Sequence, residues 1–393
     1  MALARGLKLR IQRTGAAMPT SDLDLLALGK RLHMVDDILV QMLAARHKLA
    51  GEVSRYKRKN GLPIYRPDIE RKRIEEACAY GARLGLTPEY VSSIMYGVIR
   101  EACMDQVIDR ERNDGPIQPL TYEQQKANLL ELTSSIAGTY DATYAMPYAT
   151  RVLHDYEDQR LENLILEMPR GRRGRFLDLG CGTGKIAFRA AYMFKKVVGY
   201  DLSAPMLAVA RQKHASRHAN TDVSFVETDL DNGIPEPDES VSFVAMTLGT
   251  GSDIREIENL VEEIQRVLEP EGRFLVSFYN AGALLYEWQY VPWQLPLAAW
   301  MNIDEHTLEV PHAGKTYQVF ARPRTIDEVK ELFSWALAGS LDVTTYPTIL
   351  PVIPNEAFVG QPSDQLARTL GDLEKQLAHG HHGAYAIVGG HKY

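Results

Sequence analysis

Cysteine is scarce. Cys78, Cys103 and Cys181 are the only three in 393 residues, widely spaced and without a Cys-x-x-Cys pair. That spacing excludes a disulfide framework and a cysteine zinc site, and it fits a reducing cytoplasm. Long hydrophobic runs are also missing: no stretch approaches the ~20 apolar residues of a membrane span. A surplus of positive charge is lacking as well, because 44 Lys and Arg stand against 51 Asp and Glu for a net charge of -7. Phosphate affinity rests on excess Lys and Arg, so a general nucleic-acid binder is not expected. Repeats and low-complexity tracts are absent. What remains is an ordinary globular composition in a chain longer than one core usually serves, so two domains and small-molecule partners are expected.

The first twenty residues carry Arg5, Lys8, Arg10 and Arg13 without an acid but lack the apolar stretch that secretion needs. They read as a disordered arm over 1–20. From Asp22 to about Arg58, Leu32, Val35, Leu39, Met42, Leu49 and Val53 recur at a three-four spacing, which predicts one long helix. Asn60-Gly61 and Pro63 break it. A second helix is expected from Pro67 to about Leu84, and a third from Thr87-Pro88 to about Asp109 with a stripe of Val91, Ile94, Met95, Val98 and Ala102. Three helices cannot bury such faces alone, so a homodimer through this helical domain, residues 21–112, is expected.

Asn113, Asp114, Gly115, Pro116 and Pro119 mark a linker over 113–120. After two expected helices, strand patterns at Arg175–Leu179, Val197–Tyr200, Val223–Val226, Val241–Met246 and Arg273–Phe278 alternate with helical ones. This predicts a mainly parallel α/β sheet over 121–360 with ligands at the carboxyl ends of its strands. Residues 361–393 read as a C-terminal helix and tail. His379, His381 and His382 sit there among glycines, and no metal site is expected.

Phe176-Leu177-Asp178-Leu179-Gly180-Cys181-Gly182-Thr183-Gly184 places three glycines at alternate positions where a strand gives way to a helix. Glycine allows the turn and the close approach of a ligand to backbone. The spacing differs from Gly-x-Gly-x-x-Gly, which argues against a dinucleotide fold. Asp201 closes the second strand, where a carboxylate can accept both ribose hydroxyls, and Asp229 follows the third. In this order the elements resemble class I S-adenosylmethionine-dependent methyltransferases, a Rossmann-like fold. The resemblance implies S-adenosylmethionine as cofactor. It places Asp178, Gly180, Cys181, Gly182 and Gly184 near the methionine end, Asp201 on ribose, Leu202 or Met206 beside adenine, Asp229 and Leu230 at the adenine edge, and Thr247 at the methyl-donor cleft. Tyr140, Tyr144, Tyr279 and Trp288 are candidates for the pocket of a small aromatic methyl acceptor. The insert holding Trp288, Trp293 and Trp300 reads equally as an aromatic lid or a dimer contact.

In the helical domain, Arg46 falls in the apolar seam between Met42 and Leu49, and a buried cation needs an anion. Lys57 lies about three turns further along nearly the same face, and Gln106 continues the face of Val91, Met95 and Ala102. Spacing alone leaves ion pairing to Asp36, Glu52 or Glu70 open. The string Leu43-Ala44-Ala45-Arg46-His47-Lys48-Leu49-Ala50, Glu52-Val53, Lys57 and Pro63-Ile64-Tyr65-Arg66-Pro67 resembles the all-helical AroQ class of chorismate mutases over about Asp22 to Asp109. The resemblance implies that Arg46 clamps a substrate carboxylate, that Lys57 serves the ether oxygen, and that Glu70 and Gln106 complete the pocket, with Arg31 and Arg66 as further cationic candidates. Gly29 and Ile69 stand where that class carries arginines. The expectation is a bifunctional enzyme that rearranges chorismate to prephenate and methylates a small aromatic-pathway metabolite, with an arylpyruvate preferred. Two alternatives stay open: an isochorismate-pyruvate lyase fused to a salicylate-type methyltransferase, and a methyltransferase with a non-catalytic helical sensor or dimerisation domain.

Overall fold

A computed structural model describes residues 22–60, 62, 66–114, 120–145, 148–217, 219–287, 300–303, 305–312, 315–336, 339–352 and 364–393. The chain divides into two compact units between Arg55 and Tyr56. Up to Arg55 the described chain is part of one helix, α1 (Asp22–Lys59), as the three-four spacing predicts. Its apolar residues, including Leu32, Val35, Leu39, Met42 and Leu49, remain exposed.

The second unit continues with α2 (Pro67–Arg83), which carries Pro in its first turn, and α3 (Pro88–Asp114). These two pack on each other around Ile74, Tyr96, Ile99 and Cys103. Gly81 lets them close up, since a Cβ there would stand 2.5 Å from Val91 Cγ2. Next come α4 (Tyr122–Ile136), α5 (Tyr140–Ala145) and α6 (Tyr148–Leu166). The sequence suggested two helices here. Pro147 stands between the second and third, and a proline cannot continue the hydrogen-bond ladder of a helix interior. Thr121 and Gln124 start α4 with a capping box.

The sheet is built from β1 (Arg175–Leu179), α7 (Lys185–Ala190), β2 (Lys196–Asp201), α8 (Ala204–Arg217), β3 (Val223–Glu227), β4 (Val241–Met246), α9 (Ile257–Val267) and β5 (Leu268–Tyr279). After β5 follow α10 (Leu284–Glu287), β6 (Trp300–Asn302), β7 (Thr307–His312), β8 (Lys315–Phe320), α11 (Ile326–Leu332), β9 (Asp342–Tyr346), α12 (Asp364–Leu377) and β10 (Tyr385–His391). The strand order is β3-β2-β1-β4-β5-β10-β9. The first five run parallel, and β10 is antiparallel to both of its neighbours. Two apolar layers cover the sheet. Phe176, Phe243 and Leu275 belong to one, and Leu177, Val244 and Phe274 to the other, as side-chain alternation requires. The order reverses between β1 and β4, which opens a crevice at their carboxyl ends.

Residues 361–393 are not a helix and tail. Their last part is the interior strand β10, with Ala386, Ile387 and Val388 fully buried. A three-residue apolar run before Gly389-Gly390 is too short to announce a strand, and the pairing partners on both sides supply what the local pattern does not. Gly390 is needed for packing, because a Cβ there would come within 3.1 Å of the Phe274 ring. The His379–His382 stretch is tied down as well: the Asn280 side-chain amide donates to the carbonyls of His381 and Gly383 at 2.8 and 2.7 Å.

The described part of the tryptophan insert forms an antiparallel three-stranded sheet, β6-β7-β8, on which α4 packs through Leu132 and Ile136 against Val310, Tyr317 and Val319. Trp288 and Trp293 lie outside the described residues. Among the described residues, no helix is long and apolar enough to cross a membrane, and no cluster of His, Cys, Asp and Glu has a metal-holding arrangement.

Candidate functional site

The carboxyl ends of β1 to β5 and the loops that follow them wall a cavity of about 870 Å³. Asp178, Gly180, Cys181, Gly182, Asp201, Leu202, Met206, Asp229, Leu230 and Thr247 all line it, together with Tyr140 and Tyr279. Gly184 does not. It precedes α7 at φ +85°, and a Cβ would meet the Phe188 and Phe225 rings at 2.9 Å, so glycine serves packing there. Tyr144 lies in α5, but its side chain is outside the described residues.

The glycine turn is held from below by β2, as the N–H groups of Gly180 and Cys181 both donate to the Tyr200 carbonyl at 2.8 and 3.0 Å. Gly180, at φ +70°, has the Thr250 side chain where a Cβ would sit, 2.4 Å away. Gly182, at φ +51°, has open space there, with nothing within 4 Å. Beneath the turn, Asp178 is buried and accepts from the Ala187 N–H at 2.9 Å. Burial pushes its carboxyl up to about 7. Asp201 accepts from the Gly182 and Ser203 N–H groups, each at 2.8 Å, while burial raises its pKa. The acid at the end of β2 is thus bonded to the glycine turn and faces the cavity.

Asp229 is engaged in a way the sequence does not signal. Lys126 of α4 pairs with both Asp229 and Asp231, at 2.6 and 2.8 Å, and the Tyr122 hydroxyl donates to Asp231. Burial alone would lower the pKa of Lys126, but its two carboxylate hydrogen bonds outweigh that and raise it. Lys126 and Asp229 stand 103 positions apart in the chain. The only local hint is that Tyr122 and Lys126 share a face of a well-capped helix.

The loop after β4 is tightly wound. Leu248 has φ +59°, a backbone region that costs a branched side chain about 1–3 kcal/mol, and Gly249 follows at φ +81°. Both carboxylate oxygens of buried Glu157 accept from the Leu248 N–H at 3.2 Å, and Ser277 Oγ accepts from the Gly249 N–H at 2.8 Å. Burial pushes Glu157 up from 4.5 to about 7. The folded protein therefore keeps a proton that the unfolded chain has released, and the stability this confers is lost as pH rises through that interval. Asp178 acts with the same sign. Melting curves of ligand-free protein are expected to show stability falling from about pH 5 to about pH 7, with a flatter profile for Glu157→Gln. An identical slope in that variant would remove Glu157 from the account.

On α6, His154 accepts through Nδ1 from Lys185 Nζ at 2.7 Å. Burial, aided by the Lys185 charge, lowers its pKa to about 4, so the ring is neutral with its proton on Nε2. The cavity wall also includes Asp253, Tyr286 and Tyr385, which sequence reasoning missed.

In the helical region, Arg31 is exposed and Arg46 half-buried, both in the part of α1 before Arg55. In the second unit, Lys57 and Arg66 are half-buried, while Glu70 and Gln106 are buried. Glu70 Oε1 accepts from the Arg66 N–H at 3.3 Å and from Cys103 Sγ at 3.9 Å. Gln106 donates to the Ala102 carbonyl at 2.9 Å, and its Oε1 has no hydrogen-bond partner among the described residues. A buried carboxylate and a buried amide carbonyl with spare acceptor capacity are a polar arrangement that packing alone would not select.

Comparison with known proteins matches residues 28–107 to the chorismate mutase type II family and residues 176–272 to a methyltransferase domain. The ubiquinone/menaquinone biosynthesis C-methyltransferase UbiE of Bradyrhizobium diazoefficiens is 40% identical over 28% of this chain and 44% of its own length. A 2-phytyl-1,4-naphtoquinone methyltransferase of Synechocystis is 30% identical over 35% of this chain and 60% of its own. The demethylmenaquinone methyltransferase of Symbiobacterium thermophilum is 28% identical over 63% of this chain and 91% of its own length. The chain thus spans about half the length of the first two of these relatives. One polypeptide joins a chorismate mutase type II region to a methyltransferase domain of Rossmann-like fold.

Proposed function

We propose that this chain is a bifunctional enzyme that converts chorismate to prephenate and transfers a methyl group from S-adenosylmethionine to a small aromatic-pathway metabolite, an arylpyruvate before others. The observation that carries the second activity is the alignment, along one cavity, of a side-chain-free turn at Gly180 and Gly182 with the carboxylates of Asp201 and Asp229. These residues suit the cofactor. The open space at Gly182 admits a ligand against backbone, Asp201 is placed for vicinal hydroxyls, and the buried acids favour a molecule bearing positive charge.

Bound S-adenosylmethionine supplies an electrophilic methyl on a sulfonium. The chain's part is to hold the acceptor in line with it and to exclude water, which favours a deep cavity over a dedicated nucleophile. For the first activity, Arg46 and Lys57 engage the substrate's carboxylates and ether oxygen, and Glu70 and Gln106 complete the polar wall. The rearrangement is pericyclic, so the pocket selects the compact conformer and stabilises charge growing on the ether oxygen. An arylpyruvate is favoured as acceptor because it lies just downstream of prephenate. The exposed apolar residues of α1 support a homodimer through the helices.

Mass spectrometry of purified protein given chorismate and methyl-labelled S-adenosylmethionine, with and without added phenylpyruvate, tests both halves. Prephenate and a labelled arylpyruvate are expected. Salicylate and pyruvate formed from isochorismate would replace the mutase by a lyase, and label confined to the cofactor would remove the methyl acceptor.

A further inference from the structure

The loop after β4 ends in an acid that no described contact explains. Its backbone is fixed by successive turns, with the N–H groups of Thr250, Ser252 and Asp253 donating to the carbonyls of Thr247, Gly249 and Thr250 at 3.3, 2.8 and 3.0 Å. Ser252 Oγ accepts from the Tyr279 N–H at 2.9 Å, which pins the end of the loop to β5. Asp253 is therefore held on a rigid platform, yet its carboxylate has no hydrogen bond or ion pair among the described residues. Its remaining exposure is on the cavity wall. Nearby guanidinium groups are turned elsewhere: Arg324 binds Glu258 at 2.8 Å, and Arg322 lies 3.8 and 3.6 Å from Glu258 and Glu328. Tyr286, on α10, is the titratable group whose ionisation Asp253 opposes.

The rest of this region is aromatic. Tyr279 and Tyr385 pack with ring centroids 5.6 Å apart, and both rings fill the space where a Cβ on Gly249 would stand. Tyr286 lines the same cavity. Flat walls and one unsatisfied acid define what fits. A carboxylate as the methylated group would meet like charge in a desolvated setting, whereas a hydroxyl conjugated to a ring offers the acid a hydrogen to accept.

Resting on the methyltransferase reading above, we infer that Asp253 binds the acceptor and takes its proton, and that the acceptor carries an acidic hydroxyl, an enol or a phenol, conjugated to an aromatic ring. As the enol carbon or phenol oxygen bonds to the methyl carbon, the hydroxyl proton passes to an Asp253 oxygen. The methyl–sulfur bond breaks, its electron pair stays on sulfur, and the sulfonium becomes a neutral thioether. Burial raises the Asp253 carboxyl from 3.8 to about 8, which suits a proton acceptor working near neutrality.

The test begins with calorimetry of S-adenosylhomocysteine on wild-type protein and Asp253→Asn. Similar affinity in both is expected, and no binding to either would remove the methyltransferase reading itself. Protein saturated with S-adenosylhomocysteine is then titrated with phenylpyruvate, catechol and benzoate, and turnover is followed with labelled S-adenosylmethionine across pH. Phenylpyruvate or catechol should bind and be methylated, which separates carbon from oxygen attack, and benzoate should do neither. Asp253→Asn should lose about 100-fold or more in kcat together with the rising limb of the pH profile, with Asp253→Glu recovering part of both. Turnover by Asp253→Asn within about threefold of wild type would overturn the inference. So would preference for benzoate, or failure of both hydroxyl probes to bind protein that holds S-adenosylhomocysteine. Should Asp253→Asn fail to fold, Asp253→Glu and the wild-type pH profile carry the same decision: an unshifted profile in Asp253→Glu, or a wild-type profile without a rising limb, overturns it.

Discussion

Asp201→Ala is expected to bind S-adenosylmethionine at least about a hundredfold more weakly than wild type. Two hydrogen bonds from ribose to a carboxylate are worth about 1.5–3 kcal/mol each, and their joint loss corresponds to roughly a hundredfold to ten-thousandfold in affinity. The structure adds a second reason. The same carboxylate accepts from the Gly182 and Ser203 N–H groups, so its removal also frees the turn against which the cofactor would lie. Asp201→Asn separates the two effects, since an amide oxygen still accepts from one N–H but carries no charge. Calorimetry, with melting curves to confirm folding, gives the answer. Affinity unchanged in Asp201→Ala would refute the ribose assignment.

Arg46→Ala is expected to abolish measurable consumption of chorismate. Truncating one member of a desolvated, hydrogen-bonded charge pair costs about 2–5 kcal/mol, or roughly thirtyfold to several thousandfold in rate. Gly29 and Ile69 stand where the AroQ class has further arginines, so this chain has fewer cations to share the substrate's charge and depends more heavily on Arg46. Arg46→Lys should recover only part of the rate, because an ammonium cannot grip a carboxylate with two parallel hydrogen bonds. Loss of chorismate absorbance is the assay. An active Arg46→Ala enzyme would mean that the guanidinium has another role.

The parts of the molecule legible in the sequence are those whose signal is local. The long helix from Asp22, the strands at Arg175–Leu179 and Val241–Met246, and the glycine turn announce themselves by periodicity or by residue types that few other conformations need. Lys126 pairing with Asp229, Glu157 reaching the Leu248 N–H, and Asp253 on the cavity wall are visible only once segments far apart in sequence are brought together. A lysine on a helix or a glutamate before a sheet carries no mark of its destination. Gly184 shows the opposite failure: its place in the motif suggested a ligand, and its surroundings show two phenylalanine rings.

The position of β10 has a kinetic meaning. β9 touches the main sheet only by way of β10, although it comes earlier in the chain. It has nothing to pair with until the later segment has threaded back beside β5, so the β5-β10-β9 edge should assemble last and slowly, as distant pairings do. Before that closure, the edge of β5 is bare, and partly assembled chains would be prone to join one another there.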